Sequence, residues 1–343
     1  MTEEETKNIW VDGSFDMVHF GDVYKLRSAK AHGAKLIVGV HSDKEIFRNT
    51  GKYPIFKEND RYRLISALKC VDQVIKNAPY RTTADILDKH LCKYCVVEES
   101  EMDEDRIADV RRNDRCLVTK QAFNISYEDI VERVLRSQKA VENGECITKP
   151  WGTTPFLATS ETFKMFSAGS QPKEGDKIVY VCGTFDIFNV GHLSFLEKAK
   201  NLGDYLIVGI YSDEEIIQTE GYHPIMSLYE RALCTFAYKP VDEIILGAPK
   251  VLIKDMLDRF KISIVARGLS TSSSDRERFA EAKKKGILRV INSHSNVTTN
   301  RVVDRILRNR SSKEREQAEV EYINLFRNGV DSSFSQYPVQ QQG

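Results

Sequence analysis

Short apolar runs rich in β-branched residues alternate along the chain with longer segments whose apolar positions recur every three or four residues, predicting strands and helices in turn. Ile9–Val11 reads as a first strand, the stretch from Gly21 to His32 as a helix, and Leu36–Val40 as a second strand. That second run is almost continuously apolar, which predicts burial on both faces. Val71–Ile75 and Tyr94–Val97 supply a third and a fourth strand. The same order then returns: Ile178–Val181, a helix from Gly191 to Leu202, Leu206–Ile210, Val241–Leu246 and Ile262–Ala266. Strand, helix, strand implies right-handed crossovers and a parallel sheet covered on both faces. The fold class is therefore α/β, with two tandem doubly wound parallel-sheet domains.

The return is a repeat at a fixed offset of 170 residues. Val11-Asp12-Gly13-Ser14-Phe15-Asp16 is echoed by Val181-Cys182-Gly183-Thr184-Phe185-Asp186, and Leu36-Ile37-Val38-Gly39 by Leu206-Ile207-Val208-Gly209. Gly51, Pro54-Ile55, Arg61, Val71-Asp72 and Ala78-Pro79 keep the offset with Gly221, Pro224-Ile225, Arg231, Val241-Asp242 and Ala248-Pro249. An offset held without a gap over such a length marks a duplicated domain. The boundaries expected are a first domain over 8–138, a Pro- and Gly-punctuated linker over 139–176 with Trp151, Phe156, Leu157, Phe163 and Phe166 partly packed, a second domain over 177–310, and a C-terminal segment over 311–343. Within that last segment Lys313 to Phe326 is periodic as a helix, and the residues from Asp331 onward have the composition of a disordered tail.

Composition narrows the classes. At 343 residues there is room for two cores. Fifty basic and fifty acidic residues cancel, so no nucleic-acid partner is expected. The hydrophobic fraction of 41% is ordinary for a soluble chain, and no apolar run approaches the ~20 residues of a membrane span. The acidic start lacks the order of a signal peptide. Seven scattered cysteines suit a reducing, cytoplasmic setting, and the lone Cys92-Lys93-Tyr94-Cys95 predicts buried thiols rather than a metal site. His41 and His90 read as structural or exposed, and Lys283-Lys284-Lys285 as a solvated helix face.

The candidate chemistry lies where each first strand runs through Gly-x-Phe-Asp into a helix. Backbone N–H groups at such a helix start, with the helix dipole, favour phosphate. In a doubly wound sheet ligands bind at the carboxyl ends of the strands, where this turn sits. Gly13 and Gly183 serve either close approach of a phosphate or merely a tight turn.

The turn resembles the Gly-x-Phe-Asp-x-x-His-x-Gly-His signature of the cytidylyltransferase family of nucleotidyltransferases. Glu58-Asn59-Asp60-Arg61-Tyr62, Asn77-Ala78-Pro79-Tyr80, Tyr222-His223-Pro224-Ile225-Met226 and Ser295-Asn296-Val297-Thr298-Thr299 extend the resemblance over about residues 8 to 310. Two such domains in tandem resemble the members acting on phosphoethanolamine. The resemblance implies transfer of CMP from CTP to phosphoethanolamine, giving CDP-ethanolamine and pyrophosphate in phospholipid synthesis. It implies magnesium with CTP, no bound organic cofactor, no protein metal site, and a homodimer or association with a homologous enzyme. In the family two histidines donate to phosphate oxygens, a lysine on the following loop neutralises the triphosphate, and a late Ser-Thr-Thr cradles it.

Each copy departs from that pattern. In the first, Ser14 and Phe15 stand in the turn and His19 keeps the first histidine position. Asp22 takes the second, as a first-turn helix acid or a magnesium ligand, and cannot donate when ionised. Thr50 stands where the lysine is expected, and Asn124-Ile125-Ser126-Tyr127-Glu128 replaces the late motif. That copy is expected to be inactive. In the second, His192 remains with Asn189 at the other histidine position, and both are candidate catalytic donors. Nucleotide contacts are expected from Thr184, Phe185, Gly191, Arg267, Gly268, Ser295, Asn296, Val297, Thr298 and Thr299. Glu220 stands at the lysine position, with Arg267 either offsetting it or pairing with it, and His294 adjoins the late motif. Two readings follow: an enzyme whose chemistry sits in the second half, with His192 as donor, or a weak or inactive relative, with His192 a mere turn residue, that binds nucleotide or regulates an active homologue.

Overall fold

The computed structural model describes residues 8–120, 123, 125–143, 149–151, 163, 171–269 and 275–309. The first half forms a five-stranded sheet from β1 (Asn8–Gly13), β2 (Lys35–Val40), β3 (Gln73–Lys76), β4 (Cys92–Glu98) and β5 (Cys116–Thr119), in the order β3-β2-β1-β4-β5. The second uses β6 (Ile178–Gly183), β7 (Tyr205–Ile210), β8 (Glu243–Leu246), β9 (Ile262–Gly268) and β10 (Leu288–Ile291), in the order β10-β9-β6-β7-β8. All neighbours are parallel, so the two sheets have one topology and the expected doubly wound α/β architecture is present twice. The third strand of each half begins after the Val-Asp pair rather than on it. There the Asp72 and Asp242 carboxylates turn back to accept the Leu36 and Leu206 amides, both at 2.7 Å.

The helix Tyr127–Glu142 runs on past the boundary expected at residue 138. Of the linker residues singled out for packing, Trp151 and Phe163 are described, and Phe163 packs against the core. Phe156, Leu157 and Phe166, the periodic segment from Lys313 to Phe326 and the polar tail lie outside the described residues. Cys92 and Cys95 are buried free thiols, the first pushed up by burial to about 12.

The halves meet about a local two-fold. Leu68 bridges Tyr238 in antiparallel fashion, and these residues occupy equivalent places in the repeat. Lys69 N donates to Ala237 O and Lys239 N to Ala67 O, each at 2.9 Å. The two ammonium groups mirror one another as well, Lys69 Nζ on Phe236 O and Lys239 Nζ on Ser66 O, both at 2.7 Å. Each half thus touches its copy through the same residues, as subunits do across a two-fold interface. Tyr238 stacks on Phe188 with ring centres 4.2 Å apart, and one apolar core runs through both halves. The helix Tyr127–Glu142 of the first half crosses onto the second, where the buried Arg133 guanidinium holds Glu230 at 2.9 Å. Arg305, on the helix over residues 299–309, reaches back to Ile55 O.

One fully buried arginine organises each half. Arg231 donates to Met226 O, Thr184 O, Tyr211 O and Asp213 Oδ1 at 2.6–3.0 Å, joining the motif turn to β7 and to two helix starts. Arg61 repeats this with Phe56 O, Ser14 O and Asp43 Oδ1. Arg231→Met removes every one of those donors and strands the Asp213 carboxylate. We expect it to cost about 3–5 kcal/mol in a denaturant titration, the penalty for leaving a buried charge without its partner. A loss no larger than that of the exposed Arg48→Met control would show that the guanidinium is not the organising contact.

Candidate active site

The Gly-x-Phe-Asp turn is strained in the same way in both halves. Phe15 (φ 49°), Met17 (φ 52°), Phe185 (φ 50°) and Ile187 (φ 44°) all sit in left-handed backbone, a region that side-chain-bearing residues seldom adopt. Each such residue costs on the order of 1–3 kcal/mol and persists only where its surroundings over-determine it. The aspartate of the turn provides that determination. Asp186 accepts the Ile225 and Met226 amides at 2.6 and 3.0 Å, and Asp16 the Ile55 and Phe56 amides at 2.6 and 2.8 Å. Burial pushes both carboxyls up to about 6, with the neighbouring arginine and these amides pulling the other way.

In the second half the turn opens into a cavity of about 500 Å³. Thr184, Phe185, Arg267, Gly268, Thr299 and His192 line it, together with Asp186, Tyr222, His223, Arg278, Phe279 and Asn300. Two helix starts converge there, that of Val190–Lys200 and that of residues 299–309. Thr299 Oγ1 ties the second to the turn by donating to Asp186 O at 2.9 Å. Gly191 is what allows the approach: a Cβ at that position would lie 2.1 Å from Val297 O. The remaining motif residues stand behind the wall. Ser295 Oγ accepts the Val297 amide, Asn296 O accepts from Arg301, and Thr298 Oγ1 caps the helix through Arg301 N. His294 is exposed and does not line the cavity.

Two charged or polar residues behave differently from their sequence expectation. Asn189 does not aim at the cavity: its Oδ1 accepts the Gly191 and His192 amides and its Nδ2 donates to Ile187 O, so its amide is spent on the helix cap. A side-chain amide at a helix start has this local alternative, and here the backbone takes it. Glu220 pairs with Lys250 at 2.8 Å and Arg278 at 3.7 Å rather than with Arg267, whose guanidinium lies 6.0 Å from the Phe279 ring centre. The charge reversal at the lysine position is thereby neutralised by two cations from elsewhere in the fold.

His192 is half-buried between the Phe185 and Phe188 rings, 5.4 and 5.5 Å away, and its buried Nδ1 has no hydrogen-bond partner among the described residues. Burial pushes its pKa down to about 4, so at neutral pH it is an uncharged imidazole with one donor and one acceptor.

The corresponding cavity of the first half measures about 480 Å³ and has the opposite character. Ser14, Phe15, His19 and Asp22 line it, joined by Asp16, Glu98, Glu101, Tyr127 and Glu128. Lys25 pairs with Glu101, leaving a surplus of carboxylates where a triphosphate would lie, and burial holds Glu98 up at about 7. His19 caps its own helix, Nδ1 accepting the Gly21 and Asp22 amides, while the Asp22 carboxylate accepts the His19 amide. Asp22 is thus a capping acid. Thr50, at the end of its helix, donates to Ile46 O and does not reach the cavity. Ser126 caps the helix Tyr127–Glu142 as Thr298 caps its counterpart, which places Tyr127 where the second half has Thr299; Asn124 lies outside the described residues.

The contribution least visible in the sequence is a wall that crosses between halves. Val134, Ser137, Gln138 and Val141, from the helix Tyr127–Glu142, line the second half's cavity. Spacing of this kind suits an amphipathic helix but does not say whose cavity the helix faces.

Comparison with known proteins agrees with this geometry. The Cytidylyltransferase-like family pattern matches residues 10–133 and 180–314. The chain is 33% identical to an ethanolamine-phosphate cytidylyltransferase of Mus musculus, over 90% of this chain and 87% of that one. It is 32% identical to that of Dictyostelium discoideum, over 94% and 98% of the two chains, and 33% identical to that of Arabidopsis thaliana, over 91% and 83%.

The geometry makes two predictions. Gly191→Ala forces the helix start away from Val297 and should cost about 1–3 kcal/mol, as overpacking does; an unchanged melting temperature would contradict the close approach. In ligand-free protein the His192 imidazole should stay neutral, by NMR titration, where an ordinary histidine with midpoint near 6.5 is already charged. Between about 6.5 and 4 the unfolded chain takes a proton there that the folded chain refuses, so His192 lowers stability as pH falls through that window, and His192→Phe should remove that component. A midpoint near 6.5 would overturn the assignment.

Proposed function

The chain belongs to the cytidylyltransferase-like family, and from that premise we propose that its second half transfers CMP from CTP to phosphoethanolamine. The observation that carries the placement is the contrast in lining charge between the two cavities: Arg267 and the Glu220-paired Arg278 beside Asp186 in the second, Lys25 beside Asp16, Asp22, Glu98, Glu101 and Glu128 in the first. An oxygen of the phosphoethanolamine phosphate attacks the α-phosphorus of CTP. The bond from that phosphorus to the bridging oxygen breaks, and its electron pair leaves with pyrophosphate. Little covalent work falls to the protein, whose part is to hold the two phosphates in line and to stabilise charge on their oxygens. The helix starts at Gly191 and Thr299 supply backbone N–H groups and dipoles, and His192 supplies a donor that carries no charge of its own before the substrate arrives.

Magnesium enters as part of the nucleotide substrate. Among the described residues no group of three His, Cys, Asp or Glu side chains is placed to hold a metal, and the Asp186 carboxylate is taken up by backbone amides. Among those residues, too, no helix is long and apolar enough to cross a membrane. A cytoplasmic setting belongs to the same proposal and is supported by the free cysteines. We infer in the same way that the chain associates with a second copy of itself or with a homologous enzyme. The two-fold contact between the halves already provides one interface of the kind subunits use.

Purified chain given CTP, magnesium and phosphoethanolamine should release pyrophosphate and form CDP-ethanolamine, and His192→Ala should lower turnover about 10²- to 10³-fold, the usual loss for one preorganised donor. Asp22→Ala, in the first cavity, should leave turnover within about twofold of wild type, since that cavity repels the nucleotide. Folded protein that forms no product with saturating substrates would refute the proposal.

A further inference from the structure

The second cavity gathers buried polar atoms that the protein itself leaves unsatisfied. Among the described residues, Ser137 Oγ, His192 Nδ1 and His223 Nδ1 are all buried without a hydrogen-bond partner, and all three residues line this one cavity. A buried polar group with no partner loses its hydration and gains nothing in return, so such groups collected around an open volume mark where a ligand completes them. His192 belongs to the motif turn and His223 stands beside Trp151, their ring centres 6.4 Å apart. Ser137 differs in origin, because it comes from the first half.

Its hydroxyl also departs from the habit of helical hydroxyls in this chain. Ser194, Thr219 and Thr235 each donate to the carbonyl four residues earlier, at 2.8, 2.6 and 2.8 Å. That bond is the ordinary recourse of a hydroxyl within a helix. Ser137 makes no such bond, although its helix runs regularly from Tyr127 to Glu142. The helix is fixed on the second half by the buried Arg133–Glu230 pair, one turn before Ser137, so the hydroxyl is presented to the cavity by a rigid element.

We propose that Ser137 hydrogen-bonds a phosphate-bearing substrate in the second half's cavity, so that the half with the acidic cavity completes the site of the other. The inference rests on the proposed function for the identity of the substrates, CTP and phosphoethanolamine, and on geometry alone for the contact.

The test is Ser137→Ala in the full chain, with Kd measured for CTP alone and for phosphoethanolamine in the presence of a CTP analogue whose α,β-bridging oxygen is replaced by methylene, and the unfolding midpoint measured without ligand. A hydrogen bond to a charged phosphate predicts a loss of about tenfold in affinity for one of the two, and the substrate affected identifies the contact. The ligand-free midpoint should hold or rise, because the substitution removes an unsatisfied group and alanine favours the helix. Ser137→Thr, which keeps the hydroxyl, should recover part of the affinity. Affinities for both ligands within about twofold of wild type would overturn the proposal, as would a fall in the ligand-free midpoint with affinities unchanged. Binding is read without turnover. A chain that binds CTP and forms no product would therefore sink the activity while leaving Ser137 decided.

Discussion

A guanidinium with no exposure to solvent sits beside the strained turn of each half of the chain. Arg231 grips the carbonyl of Thr184 from below while Asp186 grips the loop ahead of the helix Leu228–Phe236, and between them the backbone at Phe185 and Ile187 is forced into left-handed conformation. Arg61 and Asp16 hold Phe15 and Met17 in the same state. Strain of this kind is sustained only by contacts that cannot all relax together. The turn, the helix starts and the approach at Gly191 all follow from that clamp. It has been kept in the first half as well, although the cavity there is lined with carboxylates. The clamp therefore has a structural reason to persist apart from any chemistry.

Charge separates two cavities of nearly equal size. In the second, Lys250 and Arg278 pair with Glu220, and Arg267 and Arg278 line the cavity wall with Asp186 the one carboxylate among the lining residues. In the first, Lys25 is spent on Glu101, and Asp22 and Glu128 remain. His192 stands uncharged in these surroundings, because burial disfavours the imidazolium.

Much of the fold was legible because an unbroken offset and near-continuous apolar runs are strong signals. The edge strands Cys116–Thr119 and Leu288–Ile291 were not legible, since four residues of mixed exposure give neither an alternating nor a continuously buried pattern. The turn and its companions Thr184, Phe185, Arg267 and Thr299 were legible from local motif. Asn189 was misjudged because its type suggests a donor to substrate, whereas the competing bond to its own helix start depends on backbone angles. The wall carrying Ser137 was hidden for a different reason: periodicity tells which face of a helix is apolar, but the partner of that face is a property of the tertiary contact.

The two-fold contact at Leu68 and Tyr238 has a consequence for how such a molecule can change. In a symmetric pair of identical subunits every substitution is made twice, so a residue that improves a wall but ruins a pocket is paid for in both places at once. Joining the copies in one chain removes that constraint. One copy can give up its pocket and specialise as scaffolding for the other, and the pseudo-symmetry then records a division of labour that identical subunits could not adopt.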